Sequence, residues 1–233
     1  MKKIVALFFL SLLFFLKGPA FSQDTSPVKL GLKVSPNIAW MNPGTKGYSN
    51  NGASLGATIG FVSDFYFARN YAFSSGFNFQ YLNGKLNYSD SVMMGTGNKI
   101  VNGEVYRKYH FIYIEIPMMI KMKTNMFGKA SFFGQIGLGT GFCVKSSVNE
   151  HFVPASGEPQ DQQYNFSRGT TLIRESILIG IGCEYNVDES SRIMISLDYS
   201  NSLNNVLKGV NYKSGLNEQS MLNFAELTIG FLF

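Results

Sequence analysis

The sequence predicts an all-β protein, namely an eight-stranded, antiparallel, up-and-down transmembrane β-barrel with short periplasmic turns and four long extracellular loops. Three observations lead to this fold class. Eight segments alternate apolar and polar side chains, and a period of two puts alternate side chains on opposite faces of a strand. Short and long connections alternate along the chain, as they do in barrels that span an outer membrane. A secretory signal precedes the strands, and an aromatic residue ends the last one.

Residues 1–22 have the three parts of a secretory signal peptide: two lysines, the apolar run Ile4–Leu16, and small residues at Ala20 and Ser22. That pattern predicts cleavage after Ser22, which leaves residues 23–233 as one barrel domain. The alternative, an uncleaved membrane anchor, is less favoured because the apolar run is shorter than the roughly 20 residues of a spanning helix. After Gln23 the longest apolar run is only Ile116–Ile120, so we expect the remaining chain to cross the membrane with strands.

Composition supports a β-rich fold and argues against a nucleic-acid partner. The chain holds 24 Gly, 21 Phe and 12 Tyr with only 15% charged residues, and aromatic residues favour strands while glycine favours turns. Removal of the signal segment takes away three lysines and no acid, so the formal net charge falls from +5 to +2. A nearly neutral chain gives no electrostatic reason to bind nucleic acid.

The first three strands each combine an apolar face with a small or polar face. The first, at 29–40, carries apolar residues at its even positions, but Pro36 breaks the ladder and predicts a kink or bulge. The second, at 53–67, and the third, at 73–81, are separated only by Ala68-Arg69-Asn70, which predicts a tight hairpin.

The remaining five strands follow the same alternation. The fourth, at 109–123, carries isoleucines and methionines at even positions, and the fifth, at 131–142, opposes aromatic and aliphatic residues to a run of glycines. The sixth, at 172–185, and the seventh, at 192–200, carry isoleucines on one face and polar residues on the other. The eighth, at 225–233, alternates to the last residue, and we expect it to close the barrel by pairing with the first.

The connections place both chain ends on one side of the membrane. Short turns are predicted at 68–70, 125–129 and 186–191, and long polar loops at 41–52, 88–108, 146–169 and 201–219. Outer-membrane barrels keep their short turns in the periplasm. The sequence therefore predicts an integral protein of the bacterial outer membrane with both termini periplasmic.

The predicted inward face carries five acids and three bases. An eight-stranded barrel is only wide enough for side chains or one small ligand, and buried charges must be paired to be tolerated. We interpret the set as a structural network of ion pairs and hydrogen bonds, with a proton path or ligand site as the alternative. Its predicted members are Lys33, Asp64, Glu115, Lys121, Arg174, Glu184, Asp198 and Glu226.

Several motifs resemble the PorT-like family of bacterial outer-membrane β-barrel proteins, often called porin-family proteins. The strongest is Tyr113–Lys121 (YIEIPMMIK), which is similar to the family's Tyr-aliphatic-Glu-aliphatic-Pro-aliphatic run. The glycine-rich fifth strand, the YSNSLNN segment and the closing strand also match. The resemblance implies an outer-membrane barrel over nearly the whole chain that follows the signal peptide. The family's namesake takes part in protein secretion and gliding, but no motif here ties the chain to that subgroup.

The closing strand also predicts how the barrel is assembled. Its apolar face ends the chain with Leu227, Ile229, Phe231 and Phe233. In this class of protein, such an ending resembles the signal that the barrel-assembly machinery recognises. The predicted partners are therefore outer-membrane lipid, this machinery and other envelope proteins.

The sequence favours a non-enzymatic surface protein whose long loops serve a structural, adhesive or partner-binding role. A narrow transport or secretion-associated channel is the alternative, and a lipid-modifying barrel enzyme is a third. The two histidines, His110 and His151, have no Ser and carboxylate placed beside them by the sequence. No cofactor is predicted, and no metal site is predicted because no His, Cys or carboxylate group has ligand spacing.

Overall fold

The computed structural model describes residues 28–94, 99–211 and 213–233. The predicted signal peptide and residues 23–27 lie outside the described residues, so cleavage after Ser22 stays a prediction. A short 3₁₀ turn lies at Ser167–Gly169. The strands are β1 (Val28–Pro43), β2 (Tyr48–Asn50), β3 (Ser54–Ala68), β4 (Tyr71–Met94), β5 (Lys99–Lys123), β6 (Ala130–Pro154), β7 (Gln160–Asn165), β8 (Ile173–Asn186), β9 (Arg192–Ser202) and β10 (Ser220–Leu232).

Eight of these strands form a closed antiparallel ring in the order β1-β3-β4-β5-β6-β8-β9-β10, and β10 pairs with β1. The predicted fold class is therefore confirmed. The first and last strands meet in register, with Val34 opposite Ile229. The pairing of β1 with β10 lapses at Ser35 and Pro36 and resumes in the same register. Pro36 therefore interrupts this ladder without the extra residue that a bulge would insert.

Short turns join β3 to β4, β5 to β6 and β8 to β9, as predicted. We call this side of the barrel the turn end and the opposite side the loop end. Two predicted loops, 88–108 and 146–169, are wrong in extent. β4 and β5 continue as a paired hairpin through most of the predicted loop 88–108. In the predicted loop 146–169, β6 continues to Pro154, and its residues 147–152 pair with β7. The short strand β2 pairs with β4 at the same end.

A belt of exposed apolar side chains surrounds the ring. On β5 the outward residues from Ile112 to Met122 are all Ile or Met. At roughly 3.3 Å per residue and the usual tilt, this stretch covers about the 25 Å of a transmembrane apolar band. Within the described ranges, no helix has the length and hydropathy needed to span a membrane.

Beyond this belt, toward the loop end, the two faces of three strands exchange their chemistry: apolar side chains point inward and polar side chains point outward. On β5 the outward residues become mostly polar from His110 onward, while Phe111 and Tyr109 face inward and are buried. β4 and β6 reverse at the same level, because Asn83, His110 and Ser147 lie side by side in register. We call these three residues the boundary row. On its loop-end side, the strands bury apolar residues and expose polar ones, as in a water-soluble sheet. This reversal explains why the segments resemble loops in sequence.

Candidate functional site

The middle of the barrel interior is organised around Glu115 on β5. Its Oε1 accepts hydrogen bonds from Asn78 Nδ2 at 3.2 Å and from Gln80 Nε2 at 2.9 Å. Its Oε2 lies 3.2 Å from Nη1 of Arg174, whose fully buried guanidinium also donates to Ser200 Oγ at 2.5 Å. Both carboxylate oxygens are thus satisfied, and the guanidinium is held against one acid.

Lys33, Glu226 and Asp198 complete this middle cluster. Lys33 Nζ lies 3.3 Å from Glu226 Oε1. Asp198 is held by neutral donors, among them Gln135 Nε2 at 2.6 Å and Thr228 Oγ1 at 3.0 Å. With the Glu115–Arg174 pair, the middle cluster contains three acids and two bases.

Nearer the turn end, Lys121 bridges two acids. Its Nζ lies 2.7 Å from Asp64 Oδ2 and 2.5 Å from Glu184 Oε1. Glu184 also pairs with Lys123 and lies 3.2 Å from Nη1 of Arg192. One buried carboxylate therefore serves three cations.

All eight charged residues predicted on the inward face lie inside the barrel, in two clusters rather than one. Six of them are buried, and Lys33 and Asp198 are partly so. At the turn end, three further inward bases were missed: Lys29, Lys123 and Arg192. Each shares the inward alternation of its strand, so the same pattern would have found it. The stabilising role of the network stays a prediction.

Side chains fill the middle of the barrel. Two cavities of about 20 Å³ each lie there, lined among others by Lys33, Asn78 and Asp198. Each is close to the space that a single water molecule needs. This filling agrees with the narrow interior expected of eight strands.

From the level of Tyr113 on β5 to the loop end, the interior is a hydrophobic core. The rings of Tyr109 and Phe111 stack with centroids 5.9 Å apart, and Phe166 meets Tyr109 edge-on at 5.5 Å. The core gives the hairpins beyond the belt a packed interior of their own. Its buried members are Ala39, Met41, Tyr48, Leu82, Leu86, Tyr88, Val105, Tyr109, Phe111, Tyr113, Val148, Phe152, Val206, Leu207, Leu222 and Phe224.

Arg107 lies between two acids inside the loop end. Its Nε is 2.5 Å from Glu150 Oε2 and its Nη1 is 3.1 Å from Glu218 Oε1. Tyr48 Oη donates to Glu218 Oε1 at 3.1 Å, and burial raises the pKa of this phenol, which keeps it a donor. Tyr164 Oη donates to Glu150 Oε2 at 2.9 Å. No local pattern predicts this group, because Arg107 and Glu218 are 111 positions apart.

An open cleft of about 530 Å³ lies at the loop end, beside β5, β6 and β7. Lys85 on β4 and Lys108 on β5 lie directly opposite each other in register at its edge. Like charges directly opposite each other destabilise a sheet, so this pair works against the stability of the fold. Tyr106, Asn149 and His151 are among the other lining residues.

Each histidine ring hydrogen-bonds to a side-chain oxygen on a neighbouring strand. His110 Nδ1 lies 2.7 Å from Asn83 Oδ1, and His151 Nδ1 lies 2.7 Å from Asp161 Oδ1. Within the described part of the chain, neither ring hydrogen-bonds to a Ser hydroxyl. The same residues contain no group of three or more His, Cys, Asp or Glu side chains that could hold a metal ion, and both cysteine thiols are free.

Comparison with known proteins identifies the family. Residues 21–208 match the family described as outer membrane protein beta-barrel domain, and the chain belongs to this family. Among solved structures, that of Neisserial surface protein A is similar to this chain. The two are 9% identical with a TM-score of 0.44, and the match covers 90% of this chain and 98% of that chain. Ail, the attachment invasion locus protein of Yersinia pestis, is 12% identical with a TM-score of 0.38, covering 89% and 100%. OprG from Pseudomonas aeruginosa is 8% identical with a TM-score of 0.39, covering 90% and 97%. No curated protein matches the chain.

Membership of this family makes the protein an integral β-barrel of the bacterial outer membrane. The match reaches this broad family and nothing specific to the PorT-like group, so that finer resemblance stays a prediction. The periplasmic position of the two termini also stays a prediction.

Proposed function

We propose that the protein is a non-enzymatic surface protein whose barrel anchors a β-structured platform that binds a partner outside the cell. The platform consists of β7 and the parts of β4, β5 and β6 beyond the boundary row. The reversal of the strand pattern carries this proposal, because it gives the platform a polar outer face and its own core. A binding surface of this kind is positioned by a scaffold rather than left on mobile loops. The proposal includes the predicted orientation, with the turn end in the periplasm.

The loop-end cleft is the surface of the platform that we assign to the partner. Its volume of about 530 Å³ lies within the range of about 300–1,000 Å³ that is usual for ligand sites. Lys85 and Lys108 line it together with amides such as Asn149, and its two acids, Glu150 and Asp161, are already engaged by Arg107 and His151. Because the two lysines face each other in register, an acidic group bound between them would relieve their repulsion. The chemistry therefore favours a polar, acidic partner.

Photo-crosslinking in intact cells tests this function. A photoreactive residue at Tyr106, which is exposed and lines the cleft, should give a discrete protein adduct. Reversal of both charges in K85E/K108E should remove the adduct, while the matched turn-end variant R69E should keep it. Heat-modifiable gel mobility would show that each variant still forms a barrel. An adduct that survives K85E/K108E would contradict the assignment of the cleft.

The packed interior supports this scaffold function over a narrow channel. The two central cavities of about 20 Å³ leave little room for a continuous water column. In planar bilayers we expect no steady conductance steps from the purified barrel. Regular open steps would instead favour the transport alternative.

The non-enzymatic part of the proposal rests on the surroundings of the two histidines. His110 is bonded to an amide oxygen and His151 to an exposed carboxylate. We expect H110A to leave outer-membrane lipid unchanged in composition. A variant that altered the acyl chains or headgroups would favour the lipid-modifying alternative.

We also propose that the closing strand carries the predicted assembly signal. Leu227, Ile229, Phe231 and Phe233 are all exposed on the outer wall. F233A keeps the backbone bond from residue 233 to Leu30 O at 2.7 Å but removes the terminal ring. It should lower the folded fraction in cells and leave refolding into detergent unchanged. Equal losses in both would assign the ring to the stability of the β10–β1 seam.

A further inference from the structure

The turn end of the barrel opens into a cleft of about 400 Å³ that the function proposed above does not use. Four basic side chains line it: Lys29, Arg69, Lys123 and Arg192. Tyr66 and Ser131 lie on the same wall. We call this cleft the turn-end vestibule.

Positive charge exceeds negative charge around the vestibule. Its floor holds two carboxylates, Asp64 and Glu184, and both are already engaged by Lys121. Glu184 is further shared between Lys123 and Arg192. The middle cluster of the same barrel has the opposite balance, with more acids than bases. The excess of positive charge therefore belongs to this end and does not extend into the middle of the barrel.

Three of these four cations are also poorly hydrated, whereas Arg69 is exposed. Lys29 is only 5% exposed, and its Nζ donates to the backbone oxygen of Ser190 at 2.9 Å rather than to a carboxylate. The side chains of Lys123 and Arg192 are 7% and 11% exposed. The nearby carboxylate of Asp188 is occupied by the amides of its own turn. Buried cations without full compensation are costly, so an anion in this cleft would stabilise the folded barrel.

Two donors that line the vestibule have no partner among the described residues. Ser131 is 2% exposed and its Oγ has no hydrogen-bond partner there, and the same holds for Nε of Arg192. Buried polar groups normally have a partner. A hydroxyl and a guanidinium with free donors, in a cleft with excess positive charge, suit an anion with several oxygen acceptors.

We infer that the turn-end vestibule binds an oxyanion, namely a phosphate or carboxylate group. Arg192 and Ser131 supply hydrogen bonds to its oxygens, and Lys123 supplies a charged contact. Lys29 and Arg69 add attraction from the wall and the rim. This site lies at the opposite end of the barrel from the loop-end cleft, and it stands whether or not the platform binds a partner.

Thermal unfolding of the purified barrel in an uncharged detergent tests the site. Inorganic phosphate and citrate, each compared with chloride at equal ionic strength, should raise the Tm in a saturable way. The two anions separate phosphate from carboxylate as the preferred group. Titration with a phosphatidylglycerol in mixed micelles separates lipid-borne phosphate from free phosphate.

Variants locate the binding. R192Q should weaken the affinity for the anion about tenfold or more, because it removes a charged hydrogen bond. If R192Q does not fold, S131A, which removes one hydroxyl, should still weaken it several-fold. The matched control K46Q, at an exposed lysine of the loop end that lines neither cleft, should leave the affinity unchanged. No saturable effect beyond chloride, or equal affinity in wild type, R192Q and S131A, would overturn the inference.

Discussion

The two halves of the barrel interior are filled by different chemistry, although the same strands build both. On β5, Glu115 and Lys121 face inward within the belt, whereas Tyr109 and Val105 face inward beyond the boundary row. The surroundings of the wall explain the difference. Where the wall faces lipid, apolar side chains lie outside and the inward residues can be polar only if they are paired. Where the wall faces water, burial of apolar surface drives those side chains inward.

Alternation alone therefore does not determine which face of a strand is buried. Asn83, His110 and Ser147 mark where the surroundings change, and the inward face changes its chemistry there. The outer half therefore resembles a soluble domain built on a membrane barrel. The following variants test that division.

The largest effect is expected from E115A in the membrane half. It removes the carboxylate that holds Arg174 and leaves a buried guanidinium without its acid. Loss of one partner of a buried pair costs about 3–5 kcal/mol, measured as the free energy of unfolding in detergent. E104A is the matched control, because Glu104 faces outward on the same strand and bonds only to Ser89 in the described residues. A stability of E115A equal to that of wild type would remove the structural claim for the network.

The next effect is expected from F111A in the loop-end half. Phe111 is 1% exposed in the hydrophobic core, so truncation should cost about 3 kcal/mol through lost burial and a cavity. Y106A on the outward face of the same strand is the control, and it should change stability by less than about 0.5 kcal/mol. If the two variants unfold alike, the platform has no packed core of the kind described here.

A smaller effect is expected from I116K, which puts a charge into the apolar belt. The cost should be about 2 kcal/mol, the lower end for a lipid-facing lysine, because its long side chain can reach toward the interface. I100K is the matched control, since Ile100 is also exposed and outward but lies beyond the boundary row. A similar cost in both variants would mean that the row does not mark the edge of the membrane.

The smallest effect is expected from D188A in a turn that belongs to neither half. Asp188 Oδ1 accepts from the amides of Ser190 and Ser191, and these bonds hold the pKa of the carboxyl below its usual range. Its stabilising effect is present above the ordinary Asp pKa and is lost as the pH falls through the lowered one. The Tm of D188A should therefore lie slightly below that of wild type at neutral pH, and the difference should vanish in strong acid. A difference independent of pH would assign it to the loss of packing instead.

Much of the fold could be predicted from local pattern. The three short turns, the pairing of the first and last strands and the inward position of all eight charged residues agree with the structure. Lys29, Lys123 and Arg192 carry the same signal and were missed because they lie at strand ends. The outer parts of β4, β5 and β6 were predicted as loops because polar residues there point outward, which reverses the pattern of the belt.

By itself, the amino-acid sequence determined the class of protein, the number of long strands and which charges point inward, because alternation is a property of neighbouring residues. Which of those charges contact each other depends on the tertiary structure. Lys121 and Asp64 are 57 positions apart, and Lys123 and Glu184 are 61 apart. Their contact depends on the register of strands around a closed ring. That register also sets the level of the boundary row and gathers the unbalanced cations at the turn end.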